Sequence, residues 1–240
     1  MNQMTFQRFA AWCGVISMVT FIGAFVLAGF IPPLTPSLSA QAVARHYQEH
    51  TTGIRTGVGF MLVSGMFYAV YAGVISGQIR RIPGVHHSVV YSQLSAGSFA
   101  CVTLMIPAVL IAFTAFRPYR DPMLTQQFND LAWIMLVMPW PPFMAQNYSF
   151  AFAILSDKRE NPLFPRWLAF VNLWAPFIYA PALLIPFFKS GPFAWSGLLV
   201  LWIPAIIYIL QFFVNLPCLL RAIADEEREG SALIADAVHP

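Results

Sequence analysis

Long apolar runs separated by short polar segments dominate the chain. Six of these runs are near or above the roughly 20 residues that an α-helix needs to cross a bilayer. The pattern predicts an all-α polytopic transmembrane helix bundle: a single domain over residues 1–240, with a charged cytoplasmic tail over 221–240. The predicted spans are Phe9 to Ile31, Thr56 to Ile79, Val89 to Phe116, Leu131 to Leu155, Trp167 to Phe188, and Phe193 to Leu220.

The fourth run, Leu131 to Leu155, has three prolines near its middle: Pro139, Pro141 and Pro142. Proline removes a backbone donor and clashes with the carbonyl one turn back, so a regular helix cannot continue through this cluster. We expect the span to be kinked or broken at 139–142. Carbonyl groups freed at membrane depth need partners, which favours a position inside the bundle and beside a cavity.

The composition supports a membrane protein. The chain is 58% hydrophobic and only 10% charged, against roughly 25% charged residues in an ordinary soluble domain. The net charge of +3 is small and the basic residues lie at segment ends, which favours topology signals over nucleic-acid binding, so we predict no nucleic-acid partner. Three scattered cysteines form neither a disulfide framework nor a zinc pattern.

The distribution of Lys and Arg predicts the orientation. With six spans both termini share one side, and the side with more basic residues is cytoplasmic. The first apolar run exceeds the roughly 7–15 residues of a signal-peptide core, so we expect an uncleaved first span. The terminal side holds Arg8, Arg80, Arg81, Lys158, Arg159, Arg166, Arg221 and Arg228. The opposite side holds Arg45, Arg55, Arg117, Arg120 and Lys189.

The first external loop contains a predicted short helix over 40–50, capped by Ser39. Val43 and Tyr47 share one face of it, which is typical of an amphipathic cap at the outer interface.

The same helix contains a His-x-x-Glu-His pattern with His46 and His50 at its ends. This pattern occurs in inverted zinc proteases, but a metal site needs a third ligand. Asp121 and Asp130 lie on the same predicted side, whereas the rest of a protease sequence is missing. We reject peptidase activity, rank the cap above a metal site, and predict no cofactor.

Amide side chains recur at membrane depth in the last three predicted spans, at similar distances from the cytoplasmic ends. They can act as interhelical hydrogen-bonding groups, worth about 0.6–2 kcal/mol per contact. Alternatively, they form a polar patch in an apolar cavity that orients a ligand through a carbonyl or hydroxyl. Trp140, in the proline cluster, is a further candidate pocket residue. The predicted ligand-binding set is Trp140, Gln146, Asn147, Asn172, Gln211 and Asn215.

Two arginines and two aspartates lie near the outer end of the fourth span: Arg117, Arg120, Asp121 and Asp130. They can pair or extend to the interface, and an Asp can also cap the start of the helix. If the protein is an enzyme, Asp130 is the acid or base to test first, because it lies closest to the hydrocarbon.

Small residues recur at four-residue spacing on the second and third spans, which favours close helix contacts. The two spans are joined by a short turn, so we expect a tight antiparallel hairpin. The small residues are Gly65, Ala69, Gly73 and Gly77, and then Ser88, Ser92, Ala96 and Ala100.

Several stretches resemble a family of bacterial multi-pass integral membrane proteins without a settled activity. The resemblance implies a multi-pass topology and a bacterial inner membrane, but it supplies no mechanism. His46 and His50 are not part of the family pattern. The resembling stretches are Thr51-Thr52-Gly53-Ile54-Arg55, Arg80-Arg81, Ala115-Phe116-Arg117-Pro118, Asn129-Asp130-Leu131-Ala132-Trp133 and Pro139-Trp140-Pro141-Pro142-Phe143.

Three functions fit these features. The first is binding or translocation of a small lipophilic molecule through an intramembrane cavity, which requires a cavity that reaches the amide cluster. The second is a membrane-embedded enzyme that acts on a lipid, terpenoid or steroid-like substrate. The third is a structural subunit of a membrane complex. The predicted partners are membrane lipids, the lipophilic ligand, and a second copy or another membrane protein.

Overall fold

The computed structural model describes the backbone of residues 2–238 and the side chains of residues 2–231, and within this part the chain is all helical, without strands. This confirms the all-α fold class. The α-helices are α1 (Gln3–Leu27), α2 (Ala40–Glu49), α3 (Thr51–Ile79), α4 (His87–Phe116), α5 (Pro122–Val137), α6 (Pro141–Ser156), α7 (Arg166–Ile178) and α8 (Ile203–Val238). A 3₁₀ helix covers Ala180–Phe187, and a π-helical turn covers Leu198–Trp202.

Within residues 2–238, five helical segments are long and apolar enough to cross a membrane, which indicates a membrane-spanning protein. Two further helices, α5 and α6, occupy the position of the predicted fourth span and have 16 residues each. Neither reaches the roughly 20 residues that a crossing requires. The five segments are Gln3–Leu27, Thr51–Ile79, His87–Phe116, Arg166–Phe187 and Leu198–Ser231.

Met138–Trp140 separate α5 from α6. Pro141 is the first residue of α6, where its fixed φ suits a helix and its missing N–H is one that the helix leaves unpaired anyway. The backbone N–H of Trp140 donates to the carbonyl oxygen of Met138 at 2.9 Å. The proline cluster therefore supplies the first turn of a new helix after a short non-helical segment.

The helices α1, α3 and α4 pack closely, but through different small residues from those expected. A Cβ at Gly53 would overlap the carbonyl oxygen of Leu27, and a Cβ at Gly57 would lie 2.6 Å from that of Ala24. These glycines bring α3 onto α1.

The row of small residues on α3 was predicted to make close helix contacts, and for its last two glycines this is wrong within the bundle. A Cβ at Gly73 or Gly77 would meet no atom within 4 Å, so these positions face outward. On the partner helix, Ser88 and Ser92 are also exposed. The α3–α4 hairpin itself is present. Its contacts come from other positions, because several faces of these helices contain small residues.

The short helix α2 matches its prediction. The hydroxyl of Ser39 accepts a hydrogen bond from the backbone N–H of Ala42 at 3.3 Å. Val43 and Tyr47 are fully buried, and the helix packs mainly against α5. The Tyr47 hydroxyl donates to the Asn129 side-chain oxygen at 3.2 Å, which ties α2 to α5.

Ion pairs join the start of α1, the α3–α4 turn and the later part of α8 at one end of the bundle. Arg8 pairs with Glu227 at 2.6 Å, and Arg81 pairs with Glu229 at 2.8 Å. The predicted cytoplasmic clusters of the N-terminus, this turn and the tail thus lie together.

Candidate functional site

The amides of α6, α7 and α8 bond to each other across the helices. The side-chain nitrogen of Gln211 donates to the side-chain oxygens of Asn147 and of Asn172, the latter at 2.8 Å. Asn172 in turn donates to the side-chain oxygen of Asn215 at 3.4 Å. Gln211, Asn172 and Asn215 are buried. Their predicted proximity is therefore confirmed, and interhelical hydrogen bonding accounts for part of their chemistry.

Buried tyrosines extend this amide cluster. The hydroxyl of Tyr68 donates to the side-chain oxygen of Gln146 at 2.6 Å. The hydroxyl of Tyr71 accepts from the side-chain nitrogen of Asn215 at 3.1 Å. The hydroxyl of Tyr179 donates to the side-chain oxygen of Gln211 at 3.3 Å.

The cavity inside the amide cluster has a volume of about 20 Å³. A single buried water needs roughly 10–15 Å³. The cluster can thus hold a water or one polar atom of a larger molecule, but not the body of a lipophilic ligand. Gln93 on α4 also lines this cavity, and its buried side-chain nitrogen has no acceptor among the described residues.

A second, larger cavity lies beside the segment between α5 and α6. We call it the groove; its volume is about 150 Å³. Engineered apolar cavities of this size bind benzene or xenon. Among the residues that the structure describes, no charged side chain lines it. Its wall includes Pro139, Trp140, Tyr179, Val200, Pro204 and Tyr208.

The two cavities share a wall. Tyr208 lines both of them, and Phe143 of the groove packs edge-to-face on the Tyr208 ring at 5.6 Å between centroids. Tyr179 lines the groove while its hydroxyl reaches the amide Gln211. The groove therefore has a mainly apolar lining, and the amide cluster lies on the other side of the wall that includes Tyr208.

Sequence reasoning placed all six ligand-binding candidates around one cavity, and the structure divides them between two. Trp140 lines the groove, whereas Gln146, Asn147 and the amides of α7 and α8 line the small cavity. The candidates are divided because the rings of Phe143 and Tyr208 lie between the two cavities. The depth of a residue along its helix does not show where such rings point.

Asp130, the candidate acid or base, lies on α5 and is half-buried. The side-chain nitrogen of Asn129 donates to its carboxylate at 3.3 Å. Asp130 lines neither the groove nor the amide cavity.

Of the alternatives for the charges near the start of α5, Arg–Asp pairing does not occur within the described residues. Asp121 instead caps α5, because its carboxylate accepts from the backbone N–H of Met123 at 2.8 Å. Arg120 lies over the Phe113 ring, with 4.7 Å between guanidinium carbon and ring centroid.

His46 of α2 and His50, the residue that follows α2, stack on each other, with 4.3 Å between ring centroids. One ring nitrogen of His46 lies 3.2 Å from the carbonyl oxygen of Ala28, and one of His50 lies 3.2 Å from that of His46. Burial, together with the neighbouring His50, lowers the pKa of His46. Within the described residues, no group of three metal-binding side chains completes this pair.

Sequence reasoning missed the tyrosines Tyr68, Tyr71, Tyr179 and Tyr208. Each lies far inside a predicted span, whereas membrane tyrosines are enriched near the interfaces. A buried tyrosine hydroxyl usually needs a hydrogen-bond partner. The position of these tyrosines at the same depth as the amides could therefore have indicated that they join the amide cluster.

Comparison of the chain with protein-family models, with curated proteins and with solved structures finds no match.

Proposed function

We propose that this chain is a multi-pass protein of the bacterial inner membrane that binds a small lipophilic molecule in the groove. In this proposal α5 and α6 together form a sixth crossing, interrupted at 138–140, and both termini are cytoplasmic. The groove itself is the observation that supports the proposal: an uncharged cavity of about 150 Å³ beside the interruption. Translocation would require the same cavity to open toward each side of the membrane in turn.

Filling the groove tests the proposal. Ala205 lines it, and the substitution Ala205→Leu adds three carbon atoms to the wall. We expect toluene binding to fall at least about tenfold, because the ligand and the new side chain compete for the same volume. Binding is measured by equilibrium dialysis of the protein in detergent micelles, with protein-free micelles subtracted.

The matched control is Ala145→Leu, an exposed position on α6 that lines neither cavity. It should leave toluene binding unchanged. Equal toluene binding by Ala205→Leu and the unmodified protein would refute the groove as the binding site. No binding to the unmodified protein beyond that of empty micelles would refute the proposed function.

A second candidate function is that of a structural subunit, favoured by the outward-facing Gly73 and Gly77. Small outward-facing residues allow another helix to approach closely. Native mass spectrometry of gently purified protein distinguishes the two candidates. A retained protein chain supports the subunit, and a retained small molecule supports ligand binding.

A further inference from the structure

We infer that the ligand of the groove is an uncharged lipophilic compound with a hydroxyl group, such as a phenol or an alcohol, which donates a hydrogen bond to the backbone carbonyl oxygen of Val137. This inference rests on the proposed function and specifies its ligand class. Three observations support it: the proline cluster leaves carbonyl oxygens without donors, the residues concerned line the groove, and the rest of the lining is mainly apolar.

The proline cluster deprives the last carbonyl groups of α5 of their usual donors. In a continuous α-helix the N–H of each residue donates to the carbonyl oxygen four residues earlier. The N–H that would pair with Val137 is missing, because Pro141 has none. The N–H of Trp140, which would pair with Leu136, donates instead to the carbonyl oxygen of Met138 at 2.9 Å.

The carbonyl oxygen of Pro139 also lacks its helical donor. Phe143, four residues later, donates its N–H to the carbonyl oxygen of Trp140 at 3.0 Å. Among the described residues, no group donates to the carbonyl oxygens of Leu136, Val137 or Pro139. All three residues line the groove. In a lipid environment water does not supply the missing donor, so such carbonyl groups need another partner.

Val137 is the acceptor that the geometry favours, because it is the last residue of α5. Helical carbonyl groups point toward the C-terminal end of their helix, so that of Val137 is directed at the segment where α5 stops. This segment borders the groove through Pro139 and Trp140. The C-terminal end of a helix also carries a partial negative charge, which attracts the hydrogen of a hydroxyl group.

The rest of the lining favours a neutral ligand. Among the described residues no charged side chain lines the groove, so an ammonium group would lose its hydration without gaining a counter-ion. A hydroxyl group supplies a donor without a net charge. The volume of about 150 Å³ fits a body of about one ring.

Phenol and toluene test this preference, because they have nearly the same shape and differ by a hydroxyl in place of a methyl group. Equilibrium dialysis of the full chain in detergent micelles gives both affinities, each corrected for the partition of that probe into protein-free micelles. We expect the corrected affinity of phenol to exceed that of toluene about two- to tenfold, the range that one net hydrogen bond supplies. Anisole, which has no hydroxyl hydrogen, should show no such advantage over toluene.

The substitution Pro141→Ala supplies the donor that Val137 lacks. It introduces an N–H four residues after Val137 and leaves the lining side chains unchanged, because Pro141 does not line the groove. We expect this N–H to pair with the carbonyl oxygen of Val137. The ratio of phenol to toluene affinity should then fall at least about twofold, while toluene affinity stays within about twofold.

The matched control is Pro142→Ala, at the next proline of the cluster, which does not line the groove either. Its new N–H lies four residues after Met138, whose carbonyl oxygen already accepts from Trp140. The ratio should therefore equal that of the unmodified protein. The hydroxyl of Tyr208, the other acceptor on the wall, is present in both variants. A fall confined to Pro141→Ala thus assigns the acceptor to the backbone.

The measurements distinguish failure of the inference from failure of the proposed function. Equal corrected affinities of phenol and toluene for the unmodified protein overturn the inference but leave the proposed function standing. Equal ratios in Pro141→Ala and Pro142→Ala also overturn it. If Pro141→Ala does not fold, anisole decides, because anisole bound as tightly as phenol overturns the inference. Failure of both phenol and toluene to bind beyond protein-free micelles overturns the proposed function, and the inference falls with it.

Discussion

The helices α1, α3 and α4 are joined in a different way from α6, α7 and α8. In the first group, glycines such as Gly53 and Gly57 allow backbone to touch backbone. In the second group, side-chain amides and tyrosines hold the helices together through hydrogen bonds. Close backbone contact brings helix axes together, whereas long side chains between helices keep the axes further apart. Residues of the second group line both cavities described above, together with residues of α1, α3 and α4.

Because the first group depends on close backbone contact, we expect added side-chain volume at its contact glycines to reduce stability more than any other substitution described below. In Gly53→Ala the new methyl group would overlap the carbonyl oxygen of Leu27, so α1 and α3 must separate. We expect the free energy of unfolding to fall by about 3 kcal/mol. The measurement is unfolding of the protein by SDS in mixed micelles.

The control for this substitution is Gly59→Ala on the same helix. A Cβ at Gly59 would meet no atom within 4 Å, so the change should stabilise α3 slightly through its helix propensity. If the two substitutions have equal effects, close α1–α3 contact does not distinguish this group of helices.

Loss of a central amide should destabilise the second group to a smaller extent. Gln211→Leu removes hydrogen bonds to Asn147, Asn172 and Tyr179. Because interhelical hydrogen bonds in membranes contribute modestly, we expect a loss of about 1–3 kcal/mol in the same unfolding measurement.

Ser149→Ala is the control, because this hydroxyl bonds only to the carbonyl oxygen of Ala145 in its own helix, at 2.8 Å. Its effect should be close to zero. A Gln211→Leu protein as stable as the Ser149→Ala protein would show that the amides do not hold the second group together.

The smallest expected effect concerns pH at α2, which packs against α5 and contacts α3 and α4 of the first group. Burial lowers the pKa of His46, and the neighbouring His50 lowers it further. The unfolded chain then binds more protons than the folded chain between the lowered pKa and the ordinary value of about 6.5. Stability should therefore decrease as the pH falls through this window.

Thermal unfolding at pH 7.5 and 5.5 measures this dependence. His46→Gln should reduce the decrease in Tm on acidification. His87→Gln, at an exposed position at the start of α4, should not reduce it. An unchanged pH dependence in His46→Gln would show that another group titrates in this range.

The sequence was most informative where one property repeats along the chain. Apolar runs predicted six spans, of which five are present as long apolar helical segments among the described residues, and a polar residue at a helix start predicted the Ser39 cap. Counting residues from the predicted span ends predicted that Gln211 and Asn172 lie at one depth, and they are hydrogen-bonded. The prolines predicted a fourth span that is kinked or broken at 139–142, and the structure has two 16-residue helices there, α5 and α6, separated by Met138–Trp140.

The sequence was least informative about which helix faces meet. Gly73 has the same spacing as Gly65, yet only Gly65 approaches another helix, because the identity of the neighbour decides. The wall formed by Phe143 and Tyr208 depends on the rotation of α6 and α8 about their axes, which a mixed apolar surface does not specify. The division into two cavities follows from that rotation.

The non-helical segment between α5 and α6 has a mechanical consequence. Both helices pack against α4, whereas α2 contacts α5 and α7 contacts α6. Every amide of the cluster belongs to α4, α6, α7 or α8, and none to α5. A tilt of α5 with α6 held in place thus alters the width of the groove without disturbing the hydrogen bonds behind it, because none of them involves α5.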